Sequence, residues 1–512
     1  MLFNSYQFIF LFLPVTLLVF FLIGNKGHHR IALSWLVGAS LFFYACWNPA
    51  YLGLLLFSLL FNYACGVALS NKDEQAQNPS RLLLFAGVTI NLLLLGYYKY
   101  ANFFIDNINA FSESNWHLNT IILPLAISFF TFQQVAYLVD AYRGETKEYN
   151  FLHYALFVTF FPQLIAGPIV HHKEMLPQFA KEETYRLNKQ HLAIGLTIFI
   201  IGLFKKVVIA DTFAAYATPI FLSAESGETL SFFQAWEGAI AYTLQLYFDF
   251  SGYSDMAIGL ARMFGIKLPL NFNAPYQACN IIDFWRRWHI TLSRFLRDYL
   301  YFSLGGNRKG EFRRYINLFL TMLLGGLWHG AGWTYIAWGG LHGSYLVVNH
   351  IWQKVWSKPI DQWWSRGIAR GITLIAIIIG WVFFRAETLS GALTIIDSMA
   401  NLPSSLHGRL GPIENLLKLF GFNFEGGYVA LEHYKKIIWL AFCLLIIIYW
   451  PTTQQIMNKF QPALNTPQEQ ESSWWTNFSW RPNTAWGIIV SLMAVISILH
   501  LGSISEFLYF QF

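Results

Sequence analysis

Residues 325–333 read GGLWHGAGW, which places one imidazole, His329, among four glycines and two tryptophans. Histidine is the commonest general base, and a neutral ring can take the proton of an attacking hydroxyl. Apolar surroundings favour that neutral form, because burial disfavours imidazolium. Gly325, Gly326, Gly330 and Gly332 weaken the helix and remove bulk, so a narrow substrate or another backbone can approach the ring. The plainer reading is a core histidine satisfied by a neighbouring hydroxyl. Counted from Tyr315, His329 lies roughly 20 Å into its apolar run at 1.5 Å per residue. Ionisable groups at such depth usually mark a pathway or a site.

A second imidazole, His289, stands in DFWRRWHITLSRFLRDYL, residues 283–300. At 100° per residue, Phe284, Trp285, Trp288, Leu292, Phe295, Leu296, Tyr299 and Leu300 share one half of a helical wheel. The other half holds Asp283, Arg286, Arg287, Thr291, Ser293, Arg294, Arg297 and Asp298, and only Ile290 is misplaced. This pattern predicts one amphipathic helix lying in the membrane interface, with Asp283 and Arg287 as an i,i+4 pair. His289 falls at the boundary of the two faces, where it is either an ordinary interfacial residue or a polar group aimed inward.

Ten basic residues lie between 261 and 314. Anionic lipid and topology account for most such charge. The sharper reading is a docking surface for an anionic donor, formed by Arg286, Arg287, Arg294, Arg308 and Lys309. A passage leading to the histidines would be lined by Trp328 and by Gln245, Asp249, Ser254 and Asp255 of AYTLQLYFDFSGYSDMAIGLARMFG, residues 241–265. The two carboxylates there could orient a histidine or bind a hydroxyl, or be purely structural. No metal site is expected. His28–His29 and His171–His172 are adjacent pairs, and His329, His342 and His350 are thirteen and eight residues apart.

The elements that must position these groups are membrane helices. The chain has 512 residues, of which 55% are hydrophobic and 12% charged, against about 25% charged in soluble proteins. Apolar runs near the ~20 residues of a bilayer-spanning helix recur throughout. The pattern predicts an all-α polytopic protein with spans at 7–24, 31–47, 51–69, 82–98, 119–139, 192–210, 235–260, 315–332, 333–350, 368–384, 437–450 and 485–503. Pro162, Gly167 and Pro168 interrupt the apolar stretch 151–170, which therefore reads as re-entrant. With the N-terminus outside, inner loops hold 25 of the 34 Lys and Arg residues, the positive-inside asymmetry. Lys205 and Lys206 fit poorly, near the outer end of a span. The first lysine is Lys26, so the N-terminal run reads as a retained span and not a signal peptide. Four scattered cysteines suggest no disulfide framework. Residues 386–436 and 452–484 read as loops. One membrane domain over 1–512 is expected, with core motifs about 120–350 and C-terminal spans about 368–503.

With FWRRWHITLSRFLRDYLYFSLGGNRKG and LTMLLGGLWHGAGWTYIAWGGLHG, the chain resembles the membrane-bound O-acyltransferase (MBOAT) family, in its bacterial alginate O-acetylation branch. KYANFF, FPQLIAGPIV, GLFKKVVIADT, YTLQLYFDFSGYSDMAIGL and WVFFRA extend the likeness over nearly the whole chain. The resemblance implies a ring-like bundle of spanning and re-entrant helices with a central tunnel. It makes His329 the catalytic histidine and His289 the second polar position before it. It implies transfer of an acetyl group from a cytoplasmic thioester across the bacterial inner membrane, with the N-terminus periplasmic. Acetyl-CoA would be a co-substrate, not a bound cofactor, and an acyl carrier protein is the alternative donor. The acceptor side implies a periplasmic SGNH-hydrolase-like partner that esterifies an exopolysaccharide such as alginate. Cellulose and peptidoglycan remain open as acceptors. Membrane lipids are the other expected partners, and nucleic acid is not. A polysaccharide transporter or flippase suits the same spans and intramembrane carboxylates. Such a transporter built on inverted repeats should show matched broken helices in both halves, and none is visible. A scaffold for periplasmic enzymes is the third reading.

Overall fold

The computed structural model describes every residue except 71–76, 120, 147–149, 357–361, 408, 420–421, 427–430, 467–477, 503–507 and 509–512. The protein is all-α, as expected. Among the described residues the only sheet is a parallel pair, Asn401–Pro403 with Asn423–Gly426. Five helices are long and apolar enough to cross a membrane: Ala50–Ser70, Ser80–Ser112, Lys189–Glu225, Trp363–Arg385 and Lys435–Phe460. Phe8–Gly24, Leu389–Ala400 and Thr484–His500 are shorter apolar helices. The expected spans 235–260, 315–332 and 333–350 are also helical, within Phe232–Met263, Glu311–His329 and Trp333–Val355.

Three expectations need correction. The span at 119–139 is helical only from Ile127 to Tyr142, because Pro124 leaves the residues before it without a helical start. The span at 192–210 continues to Glu225, with no glycine or proline at 203–213 to stop it. The loop at 386–436 contains helices Leu389–Ala400 and Pro412–Leu419 as well as both strands.

The chain packs into two compact units. The first comprises 1–204, 252–271 and 453–503, and the second 205–251, 272–452 and 504–512. In the first, Phe8, Phe12, Phe43 and Phe161 interlock as an aromatic core. Buried Asn62 and Asn91 exchange amide hydrogen bonds of 3.1 and 2.7 Å between Ala50–Ser70 and Ser80–Ser112, the polar link expected between membrane helices. The interrupted stretch forms a helix, Phe151–Thr159, that breaks at Phe160. A single turn, Phe161–Leu164, follows. Residues 154–170 are all buried, so this irregular backbone is covered by protein, the condition under which it survives at membrane depth.

In the second unit, Glu311–His329 and Trp333–Val355 form an antiparallel hairpin whose corner is residues 330–332. Glycines allow the two backbones to touch. A Cβ on Gly339 would stand 2.5 Å from the Met322 carbonyl oxygen, and one on Gly326 would overlap that of Tyr335. Gly330 lies under the Tyr335 ring. The glycines before and after His329 therefore admit a second helix, one of the two roles their small size allowed. Replacement of Gly326 by alanine is expected to lower the thermal unfolding midpoint in detergent, at a cost of about 1–3 kcal/mol for forced overpacking. Gly332→Ala, whose nearest neighbour would be 3.5 Å away, should leave the midpoint unchanged.

Candidate active site

His329 is the last residue of its helix, not a mid-span residue. The next residue, Gly330, is extended. Its ring is half-buried and packs edge-on against Trp328, Trp338 and Phe384 at centroid distances of 4.8, 5.2 and 5.1 Å. Trp338 comes from the returning arm of the hairpin, and Phe384 from the helix Trp363–Arg385. Three elements thus supply the rings that surround this half-buried imidazole.

His289 marks a break. The expected single amphipathic helix is two, Ile281–Arg287 and Ile290–Phe295, followed by a π-helical turn, Leu296–Tyr301. Between them His289 takes the left-handed conformation (φ 42°, ψ 54°), which costs a residue with a Cβ of order 1–3 kcal/mol. Such strain is commonest at functional sites. The break turns the ring inward. His289 is 1% exposed and lies against Phe250 at 4.8 Å and Phe272 at 6.5 Å. Burial pushes its pKa down to about 3, so the ring is neutral at ordinary pH. Of the expected apolar face Phe284, Trp285, Trp288, Leu292, Phe295 and Leu296 are buried, whereas Tyr299 and Leu300 are half-buried and Thr291, placed on the polar face, is buried.

The two histidines share one aromatic wall. From His329 the contacts run through Trp338 to Trp381 at 5.9 Å, then to Trp288 at 4.9 Å and Phe272 at 5.1 Å, which touches His289. A third imidazole belongs to this wall, one that the sequence brought up only as a possible metal ligand. His342 is fully buried. Its Nδ1 accepts from the Trp285 indole N–H at 3.3 Å, which leaves the proton of the neutral ring on Nε2. Nε2 has no hydrogen-bond partner among the described residues, and it lies over Gly380, where a Cβ would be 2.7 Å away. The available signal was an ionisable residue inside an apolar run, flanked by Gly339 and Gly343.

Trp285 also walls a cleft of about 280 Å³. Leu296, Leu318, Met322 and Leu346 provide its apolar sides, and Arg297, Arg314 and His350 its charged and polar part. Arg314 donates to His350 Nδ1 at 2.9 Å. None of the five residues expected to dock a donor lines this cleft. Arg286, Arg308 and Lys309 are exposed, Arg287 is held by Asp283 at 2.9 Å, and Arg294 is half-buried.

The remaining polar candidates divide. Gln245 and Asp249 are buried one turn apart in the second unit, whereas Ser254 and Asp255 belong to the first. Asp255 accepts from Thr453 Oγ1 at 2.6 Å and Gln454 Nε2 at 2.9 Å. Asp249 lies 2.6 Å from Lys206 Nζ, which also holds Asp211 at 3.0 Å. Lys206 is 1% exposed and sits in a π-helical stretch, Lys205–Ala210. The lysine that fitted poorly on charge grounds is therefore the partner of the intramembrane carboxylates. Lys206→Met strands two carboxylates and should cost about 3–5 kcal/mol, seen as loss of folded protein in size-exclusion chromatography. Asp249→Asn leaves the Lys206–Asp211 pair and should cost less.

The model of the membrane-bound O-acyltransferase family matches residues 52–386. The chain is 50% identical to the peptidoglycan O-acetyltransferase of Helicobacter pylori, over 78% of this chain and 80% of that protein. It is 39% identical to the probable alginate O-acetylase AlgI of Pseudomonas putida over the full length of both. It is 32% identical to the teichoic acid D-alanyltransferase of Bacillus subtilis, over 52% of this chain and 67% of that protein. A polytopic helical chain with a half-exposed histidine caged by aromatic rings thus belongs to the membrane-bound O-acyltransferase family, and is an O-acyltransferase of the membrane.

Proposed function

We propose that this protein moves an acetyl group from a cytoplasmic thioester, acetyl-CoA in preference to an acyl carrier protein, across the bacterial inner membrane for O-acetylation of an exopolysaccharide such as alginate. The observation that carries the reading is His329, half-exposed within an apolar cage, in a chain of this family. A hydroxyl oxygen attacks the acyl carbonyl carbon while His329 takes the hydroxyl proton. The carbon–sulfur bond then breaks, and the thiolate recovers that proton from the imidazolium. An acyl-histidine intermediate is the variant, with the ring nitrogen attacking first. The aromatic wall excludes water and holds the ring in place, so that orientation supplies much of the rate. His289, neutral and inward, is the second polar group on the donor side. Gln245, Trp328 and the Lys206-bound Asp249 flank the passage, with Ser254 and Asp255 further along the same helix.

The cleft walled by Trp285 suits the donor's arm, because its apolar sides match a thioester chain and Arg297 and Arg314 suit phosphate. Exposed Arg286, Arg308 and Lys309, with Arg287 and Arg294 beside them, add the attraction that brings an anion to this face. The positive-inside pattern supports a cytoplasmic position for 261–314 and a periplasmic N-terminus. The acceptor is a periplasmic SGNH-hydrolase-like acetyltransferase, which esterifies the polymer. Peptidoglycan is the second reading, favoured by the 50% identity to the Helicobacter pylori protein.

His329→Ala is expected to lower polymer acetylation by at least about 10²–10⁴-fold, the usual contribution of a general base, with an unchanged melting temperature. Continued acetylation by the folded variant would overturn the assignment. His289→Ala should reduce transfer while membrane insertion, assayed by fractionation, stays normal.

A further inference from the structure

A large pocket in the first unit contains none of the candidate catalytic residues. Its volume is about 1060 Å³, just above the ~300–1,000 Å³ typical of ligand sites. Six Lys and Arg side chains line it against two carboxylates, Glu174 and Glu183. Glu174 is committed to the backbone N–H of His171 at 3.1 Å, and Lys173 to Glu145 at 2.7 Å. The other five cations have no carboxylate partner among the described residues.

Arg262 is the decisive member. It lies in the last turn of Phe232–Met263 and is 6% exposed. Its Nε has no hydrogen-bond partner, and no carboxylate is within ion-pair distance among the described residues. A buried guanidinium is costly unless an anion compensates it. Its walls are held firmly. The Lys267 N–H donates to Gln178 Oε1 at 2.8 Å and Gln178 Nε2 donates back to the Lys267 carbonyl at 2.9 Å. The Leu464 N–H bonds the Leu268 carbonyl at 2.8 Å. Burial above all, and then the nearby charges of Arg262 and Lys181, lower the Lys267 pKa.

We propose that this pocket binds a phosphate-bearing anion, with the Arg262 guanidinium as its fork and Lys181 and Lys267 as flanking charges. Guanidinium geometry matches two phosphate oxygens at once, and the volume leaves room for the group that carries the phosphate. The source is either a soluble phosphate compound or the headgroup of an anionic phospholipid.

Full-length protein in an uncharged detergent would be titrated with inorganic pyrophosphate by calorimetry. In parallel, protein extracted from nanodiscs of phosphatidylcholine with phosphatidylglycerol would be weighed by native mass spectrometry for retained lipid. The wild type should bind pyrophosphate saturably or retain phosphatidylglycerol. Arg262→Gln and Lys267→Gln should each weaken that binding by about tenfold or more, the effect of one charge-assisted hydrogen bond. Pyrophosphate binding in a lipid-free sample assigns a soluble ligand, and retained phosphatidylglycerol that pyrophosphate does not displace assigns a lipid. If neither probe is held, or both variants hold it as the wild type does, the proposal fails. Should Arg262→Gln not fold, Lys267→Gln, which removes a partly exposed side chain, decides the matter. Acetyl-transfer activity plays no part in either readout, so this result is separable from that of His329→Ala.

Discussion

The second unit is organised by the contact between two backbones, where Glu311–His329 meets Trp333–Val355 without side chains between them. In an apolar medium helices gain little from hydrophobicity and associate through close van der Waals packing. Gly326, Gly339 and Gly343 make that packing possible, since a Cβ at any of them would strike the opposite chain. The hairpin does more than hold itself together. Its corner ends one helix at His329, and the first turns of its returning arm bring Trp338 against that ring. One turn further along, the same arm places His342 beside Trp285, and both arms wall the cleft that contains Arg314 and His350. Bulk at the glycines would therefore disturb the surroundings of His329 as well as the fold.

Charge within apolar surroundings is the second constraint, and the chain meets it in different ways. Asp249 and Asp211 share Lys206, so two negative charges and one positive charge are buried together. Asp255 is satisfied by two neutral donors, Thr453 and Gln454. In each the carboxylate is held by a partner from the chain itself, and so they argue for stability more than for chemistry. The ring of His329 and the guanidinium of Arg262 are of another kind. Arg262 is buried yet lines a pocket, and His329 is only half-buried; such groups point to something outside the chain.

Much of this was legible in the sequence. Long apolar runs located the helices, because span length is dictated by the bilayer. The wheel over 283–300 named the buried face correctly, because burial follows the apolar side whether the helix is continuous or broken. The break itself left no mark. His289 is neither glycine nor proline, and its left-handed backbone is imposed by what packs around it. The partner of Asp249 was hidden for a related reason. Lys206 and Asp249 are far apart in sequence, and a long-range pair has no spacing to read. Residues 386–436 were polar enough to pass for a loop, yet Leu389–Ala400 buries Ala392 and Ile395 against the rest of its unit. The glycines around His329 could serve a substrate or a helix, and only the fold decides for the helix.

The proposed role of His329 invites comparison with a serine-protease triad. There a carboxylate fixes the tautomer and stabilises the imidazolium. Here Trp328, Trp338 and Phe384 pack edge-on around the His329 ring, and such rings constrain an imidazole by shape. Apolar rings in general favour an uncharged imidazole and stabilise an imidazolium poorly. In the proposed reaction the imidazolium would then be short-lived, with its proton passed quickly to the departing thiolate. That requirement favours a geometry in which acceptor oxygen, carbonyl carbon and sulfur lie within reach of one ring nitrogen. A half-buried histidine at a helix end can meet this condition better than one enclosed within a helix.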